Sequence, residues 1–241
     1  MAVKVKICGL TNLADAQAAL AAGADMLGFI FFPKSPRYVT PERAREIVQA
    51  LKFDRRPPTA VACHSCPPAV GGPLSAVATV GVFVNASSEA IAQVLAFCGL
   101  DLAQLHGEEP PQMVTGDLRG RSYKALRPRS LDEALDLASR YAPRSPLRDE
   151  DRRPAFLVDA YHPHLRGGTG ETGDWSLAAT LAGRYPLLLA GGLSPANVAG
   201  AVRAVCPWGV DVSSGVESAP GQKDHAALRA FVAAAKTISN Q

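Results

Sequence analysis

Eight short apolar runs, each followed by an Ala-rich amphipathic stretch, constrain this chain more than any other feature. The runs are Val3–Cys8, Met26–Phe32, Thr79–Val84, Leu102–His106, Ser122–Arg127, Ala155–Ala160, Leu187–Gly192 and Gly209–Ser214. They are rich in Val, Ile, Leu and Phe, as strands buried on both faces must be. Helix-like stretches follow near 12–22, 41–51, 88–97, 109–117, 130–140, 174–182, 195–205 and 224–237. Thr11, Thr40 before Pro41, Ser87, Ser130, and Ser194 before Pro195 stand where N-caps belong. Eight strand–helix units predict a single (β/α)8 barrel spanning 1–241, because 241 residues is the usual length of that fold. An open doubly wound sheet alternates in the same way and is the competing architecture.

Two segments interrupt the alternation. Residues 53–75 are Pro-rich and residues 143–154 are charged. Both read as surface excursions from a helix to the next strand, on the barrel face opposite the chemistry. Lys and Arg number 25 against 22 Asp and Glu, and no basic block stands out, which argues against nucleic-acid or membrane-surface binding. A small anionic substrate suits the slight basic excess. Five scattered cysteines are not a disulfide framework, and the opening residues alternate apolar with charged rather than forming a signal sequence. These features predict a soluble cytoplasmic protein.

In a barrel, residues at strand C-termini face the active site. Cys8 ends the first run, where a thiolate would look into the mouth and could abstract a proton from a sugar carbon. A buried structural cysteine is the alternative. Asp159 ends the sixth run after three apolar residues; partly desolvated, such a carboxyl group can serve as a general acid. Its alternative is a cap or salt-bridge residue. Gly191 and Gly192 after strand seven, with Ser213, Ser214 and Gly215 after strand eight, occupy the two loops where barrels commonly hold phosphate. Either loop alone could be a tight turn. Arg37, just past strand two, carries a fork suited to a carboxylate, or else is a solvated loop residue. Gln104 and His106 line the mouth or fix loops.

Two motifs mislead. Gly168-Thr-Gly-Glu-Thr-Gly173 has dinucleotide-binding spacing but does not follow its strand directly, and reads as a lid loop. Cys63-His-Ser-Cys66 lacks a second ligand pair for zinc and sits in no thioredoxin context.

Taken in order, Lys6-Ile-Cys-Gly-Leu-Thr11, Gly28-Phe-Ile-Phe-Phe with Ser35-Pro-Arg-Tyr38, Gly81-Val-Phe-Val-Asn85, Gln104-Leu-His-Gly107, Leu157-Val-Asp159, Gly167-Gly-Thr-Gly170 with Asp174-Trp175, Ala190-Gly-Gly-Leu193 and Asp211-Val-Ser-Ser-Gly-Val-Glu217 resemble the phosphoribosylanthranilate isomerase family of tryptophan biosynthesis. The resemblance spans nearly the whole chain. It implies an Amadori rearrangement of N-(5-phosphoribosyl)anthranilate to 1-(2-carboxyphenylamino)-1-deoxyribulose 5-phosphate, without cofactor or metal. It makes Asp159 the acid that opens the furanose ring and Cys8 the base that removes the C2 proton. Arg37 would hold the anthranilate carboxylate, with His106 and Asp211 as further substrate contacts. The expected partner is this phosphorylated small molecule; monomer and homodimer both stay open. The chain departs from the family pattern in Gly173, where an apolar aromatic is usual, and in the length of the 53–75 insertion. A histidine-pathway Amadori isomerase is the nearest alternative, but that family would place an aspartate where this chain has Cys8. A non-catalytic phosphate-ligand sensor is the alternative outside enzymes.

Overall fold

A computed structural model describes residues 3–54, 77–143, 153–159 and 175–237. Eight parallel strands close on themselves: β1 (Lys4–Ile7), β2 (Met26–Ile30), β3 (Ala78–Phe83), β4 (Leu102–Leu105), β5 (Ser122–Leu126), β6 (Phe156–Asp159), β7 (Leu187–Ala190) and β8 (Gly209–Val212). β1 pairs with β2 through Lys6 and Ile7, and with β8 along its full length from Lys4↔Gly209 to Ile7↔Val212. That second pairing closes the barrel and excludes the open sheet. Helices α1 (Leu13–Ala21), α2 (Pro41–Asp54), α3 (Ser88–Cys98), α4 (Leu131–Tyr141), α5 (Trp175–Ala182), α6 (Val198–Val205) and α7 (His225–Thr237) lie between the strands.

Strand alternation sorts the core into two layers. Val5, Ile7, Phe156, Val158, Leu187 and Leu189 point outward and pack beneath the helices. Met26, Val80, Leu102, Tyr123, Leu157 and Leu188 form a separate cluster inside the ring. The same alternation places Lys6 with Cys8, Gln104 with His106, and Asp211 with Ser213 on the inward side. The barrel interior is therefore apolar toward the strand N-termini and polar toward the C-termini.

Local expectations hold with specific exceptions. Ser87 and Ser130 cap α3 and α4, accepting from Ala90 N and Glu133 N, and Thr40 Oγ1 accepts from Arg43 N. Asn12, not Thr11, caps α1, because its amide oxygen reaches Asp15 N at 2.9 Å. Ser194 is not a cap either: α6 begins four residues later, and Asn197 ties the turn by accepting from Ser194 N and donating to Gly192 O. The stretch 109–117 forms a π-helical segment at Met113–Asp117 rather than an α-helix. There Leu118 N bonds Met113 O, a five-residue loop that opens after Pro110 and Pro111. A small antiparallel hairpin, β9 (Glu217–Ala219) and β10 (Gln222–Lys223), follows β8 and has no counterpart in the expected pattern.

The excursions at 53–75 and 143–154 lie largely outside the described residues, although α2 runs to Asp54. Among the described residues no helix is long and apolar enough to cross a membrane.

Phe156 is fully buried and meets Tyr185 edge-on, with ring centroids 5.1 Å apart. Phe156→Ala is expected to cost about 3–5 kcal/mol, read as a shift of the urea midpoint without a change in the spectrum of the folded state.

Candidate active site

The site forms where inward-facing residues of β1, β4, β5, β6 and β8 reach the C-terminal mouth. Cys8 follows β1 directly, and its backbone N–H donates to Val212 O at 2.9 Å, so the β1–β8 ladder fixes the residue. It is 5% exposed. Beneath it Lys6, with no solvent exposure, donates to Asp211 Oδ1 and to Gln104 Oε1, each at 2.9 Å. An ammonium buried this completely persists only when paired and hydrogen-bonded. Burial works against its charge, yet Asp211, Cys8 and Tyr123 together hold its pKa above the ordinary lysine value. Lys6 was not among the site residues expected from the sequence. Its signal was present: a lysine two positions before Cys8 in a two-sided apolar strand must share the face of Cys8.

Gln104 connects this charge to His106. Its Oε1 accepts from Lys6 and from Tyr123 Oη (3.0 Å), which turns Nε2 toward His106 Nδ1 at 2.8 Å. Burial holds the Tyr123 phenol above its ordinary pKa, so it keeps the proton it donates. With Nδ1 accepting, the ring proton of His106 belongs on Nε2. Burial first, then Arg127, Lys6 and Lys124, push the His106 pKa down to about 3, so the imidazole is neutral. His106 Nε2 is buried without a hydrogen-bond partner among the described residues. The loop behind it is fixed by Glu109, which accepts from Asn85 N and Gly107 N and pairs with Lys124 at 3.1 Å.

Arg37 packs over the Cys8–Gly9 turn: its Cδ lies 2.7 Å from the point where a Cβ on Gly9 would stand. Its guanidinium is not simply solvated. Nε and Nη2 grip Glu217 at 2.8 and 2.7 Å, and Lys223 reaches the same carboxylate at 2.8 Å while also donating to Ser213 O. These bonds use one edge of the guanidinium; the edge bearing Nη1 has the same fork geometry for a second carboxylate. The Glu217 hydrogen bonds raise the Arg37 pKa against its partial burial. Burial alone would raise the Glu217 pKa, but Arg37 and Lys223 bring it below the ordinary value. The β9–β10 hairpin is what carries Glu217 and Lys223 to this place, and nothing in the local sequence announces it.

Asp159 ends β6 opposite Ala190 of β7, a quarter exposed, with Arg127 Nε at 3.8 Å. Arg127 is 62% exposed, so this contact is long and solvated. Arg127 follows β5, the loop after β6 lies outside the described residues, and the carboxyl group reaches the mouth.

The loops after β7 and β8 meet. A Cβ on Gly215 would fall 1.9 Å from Leu193 O, so only glycine permits that contact. Gly191 and Gly192 adopt φ of 96° and 66°, the left-handed region that glycine enters without strain. Ser214 to Val216 form one 3-10 turn, with Ser214 exposed beside these glycines. Ser213 differs: its hydroxyl faces Gly9, 2.9 Å from where that residue's Cβ would stand, and is buried without a described partner. The motifs at 168–173 and 63–66 lie outside the described residues. Among the described residues no cluster of three or more His, Cys, Asp or Glu could hold a metal.

Comparison with known proteins places this geometry. The model of the family described as N-(5'-phosphoribosyl)anthranilate (PRA) isomerase matches residues 71–234. The N-(5'-phosphoribosyl)anthranilate isomerase of Pelobacter propionicus is 45% identical over 239 residues, covering 99% of this chain and 98% of its own. The crystal structure of phosphoribosyl anthranilate isomerase from Thermotoga maritima superposes with a TM-score of 0.74 at 37% identity, over 98% of this chain and 99% of that one. A phosphoribosyl anthranilate isomerase in complex with reduced 1-(o-carboxyphenylamino)-1-deoxyribulose 5-phosphate gives a TM-score of 0.71 at 36% identity, over 98% of this chain and 99% of that one. With a thiol, a carboxyl group and two abutting glycine loops at one barrel mouth, and relatives aligned end to end, the chain belongs to the N-(5'-phosphoribosyl)anthranilate isomerase family.

Proposed function

We propose that Cys8 and Asp159 are the base and acid with which this isomerase converts N-(5'-phosphoribosyl)anthranilate to 1-(2-carboxyphenylamino)-1-deoxyribulose 5-phosphate. The observation that carries the assignment is their placement: both stand at strand C-termini on one mouth, three strands apart around the ring, with a buried cation beneath the thiol. Asp159 delivers its proton to the furanose ring oxygen as the C1–O bond breaks and the anthranilate nitrogen forms C=N. The Cys8 thiolate takes the C2 proton, and the electron pair moves toward nitrogen to give the enolamine. Protonation at C1 and loss of the enol proton yield the ketone. Ring opening and tautomerisation are each driven by proton transfer within a redox-neutral isomerisation, chemistry that acid and base side chains can supply.

The anthranilate carboxylate fits the Nη1 edge of Arg37, and neutral His106 offers an Nε2–H donor toward the substrate. Asp211 contributes through Lys6 and from beneath the sugar. The phosphate fits the joined loops of Gly191, Gly192, Ser214 and Gly215, where glycine backbone lets an anion approach N–H groups closely. Ser213 belongs with the Cys8–Gly9 turn rather than with the anion. Unpaired Cys8, Cys98 and Cys206 suit the reducing cytoplasm as the place of action.

Cys8→Ala and Asp159→Asn are each expected to lower kcat by roughly a hundredfold or more, with unfolding midpoints near wild type. Following the loss of phosphoribosylanthranilate fluorescence with purified protein tests this; near-normal turnover in either variant removes that residue from the mechanism. Arg37→Gln should raise KM about tenfold or more, since a charge-assisted bond to the carboxylate is lost, with a smaller effect on kcat.

Burial places the Cys8 thiol above its ordinary pKa. A base acts deprotonated, so kcat/KM should climb with pH through neutrality into the mildly alkaline range. His106, neutral above about pH 3, adds no inflection there. A profile flat across that range, with chemistry rate-limiting, would contradict the thiolate base.

A further inference from the structure

A thiolate is expensive to form in a site that excludes water, and Cys8 is 5% exposed. The groups facing it decide whether it can ionise. From β1 comes Lys6, from β8 Asp211, from β5 Tyr123, from β10 Lys223, and from the loop after β2 Arg37. Among these described residues the charges pair unequally. Asp211 neutralises Lys6, while Glu217 serves both Arg37 and Lys223, so three cations face two carboxylates. One positive charge remains for an anion at the mouth. Lys6 is the cation that shares the sulfur's own strand face. Gly28 on β2 makes the room: the Cys8 sulfur and Lys6 Cε lie 2.8 and 3.2 Å from the point where its Cβ would stand.

We propose that the Lys6 ammonium, locked beneath Cys8 by Asp211 and Gln104, is the positioning residue that lets a buried thiol work there as a base. Lys6 keeps its own proton throughout and acts on the sulfur by its charge. Burial is the largest influence on Cys8 and pushes its pKa up; Lys6 is the strongest influence in the other direction, ahead of the opposing push from Asp211, with Lys223 assisting Lys6. The Gln104 bond gives the same ammonium a second role, because it also sets the amide that fixes the His106 tautomer. One buried cation thus prepares both the base and a neutral substrate-facing donor.

This inference rests on Cys8 being the base, and the test separates the two. The thiolate ultraviolet absorbance of Cys8 is titrated in substrate-free enzyme, as the difference between each protein and its own Cys8→Ala counterpart. Lys6→Met is expected to move that titration to higher pH and to lower kcat/KM at pH 7 by roughly tenfold or more, one pKa unit being worth a factor of ten. The lost rate should return as pH rises. Because Lys6→Met leaves Asp211 buried without its cation, Lys6→Met/Asp211→Asn is measured beside it; the Cys8 titration there should still lie above wild type, by less. A Cys8 titration at or below that of wild type in the folded variants overturns the role of Lys6. Should Cys8→Ala retain turnover, the base assignment fails, whatever the titration shows.

Discussion

Closure of the sheet is the constraint on which everything else in this protein depends. Once β1 pairs with both β2 and β8, no strand has a free edge, and every second side chain of every strand must point into one enclosed space. Apolar residues fill its lower half. Its upper half holds Lys6, Gln104 and Asp211, with the Tyr123 hydroxyl reaching up from the apolar layer to Gln104, and all four are nearly or fully inaccessible to solvent. Polar groups in such a place must satisfy one another, and they do so through a connected set of hydrogen bonds from Asp211 through Lys6 and Gln104 to His106. The floor of the active site is thus part of the folded core, and geometry at the mouth is inherited from packing below it.

Charge around the mouth follows a similar economy of parts. Glu217 is shared by Arg37 and Lys223, and Lys223 in turn donates its backbone N–H to Asp15 at 2.9 Å. Asp15 also meets His225 at the start of α7 and accepts from Asn12, the cap of α1. The Arg37 guanidinium is therefore tied through the small hairpin to the first and last helices. An anionic substrate enters a site whose cations are already held in place, which reduces the ordering cost of binding.

Much of this was legible beforehand. The strand runs, the positions of Cys8 and Asp159, and the glycines at 191, 192 and 215 follow from patterning and from the rule that barrel strands end at the chemistry. Ser87 and Ser130 behave as local caps because capping involves only neighbours three residues away. Ser194 fails as a cap because Asn197 competes for the same turn and wins both of its hydrogen bonds. The π-helical turn at Met113–Asp117 and the β9–β10 hairpin left too short a periodic signal to read.

By itself, then, the sequence determined the order of the eight strand–helix units and the placement of Cys8 and Asp159 at strand ends, because strand periodicity and chain position are local properties; the same alternation also fits an open sheet, so closure belongs to the tertiary structure. Only the tertiary structure decided which partners those groups have. Lys6 meets Asp211 across 205 positions, Arg37 meets Glu217 across 180, and Lys223 meets Asp15 across 208. Contacts between residues so distant in the chain exist only once the ring has closed, and their charges act strongly only because closure has removed the water between them.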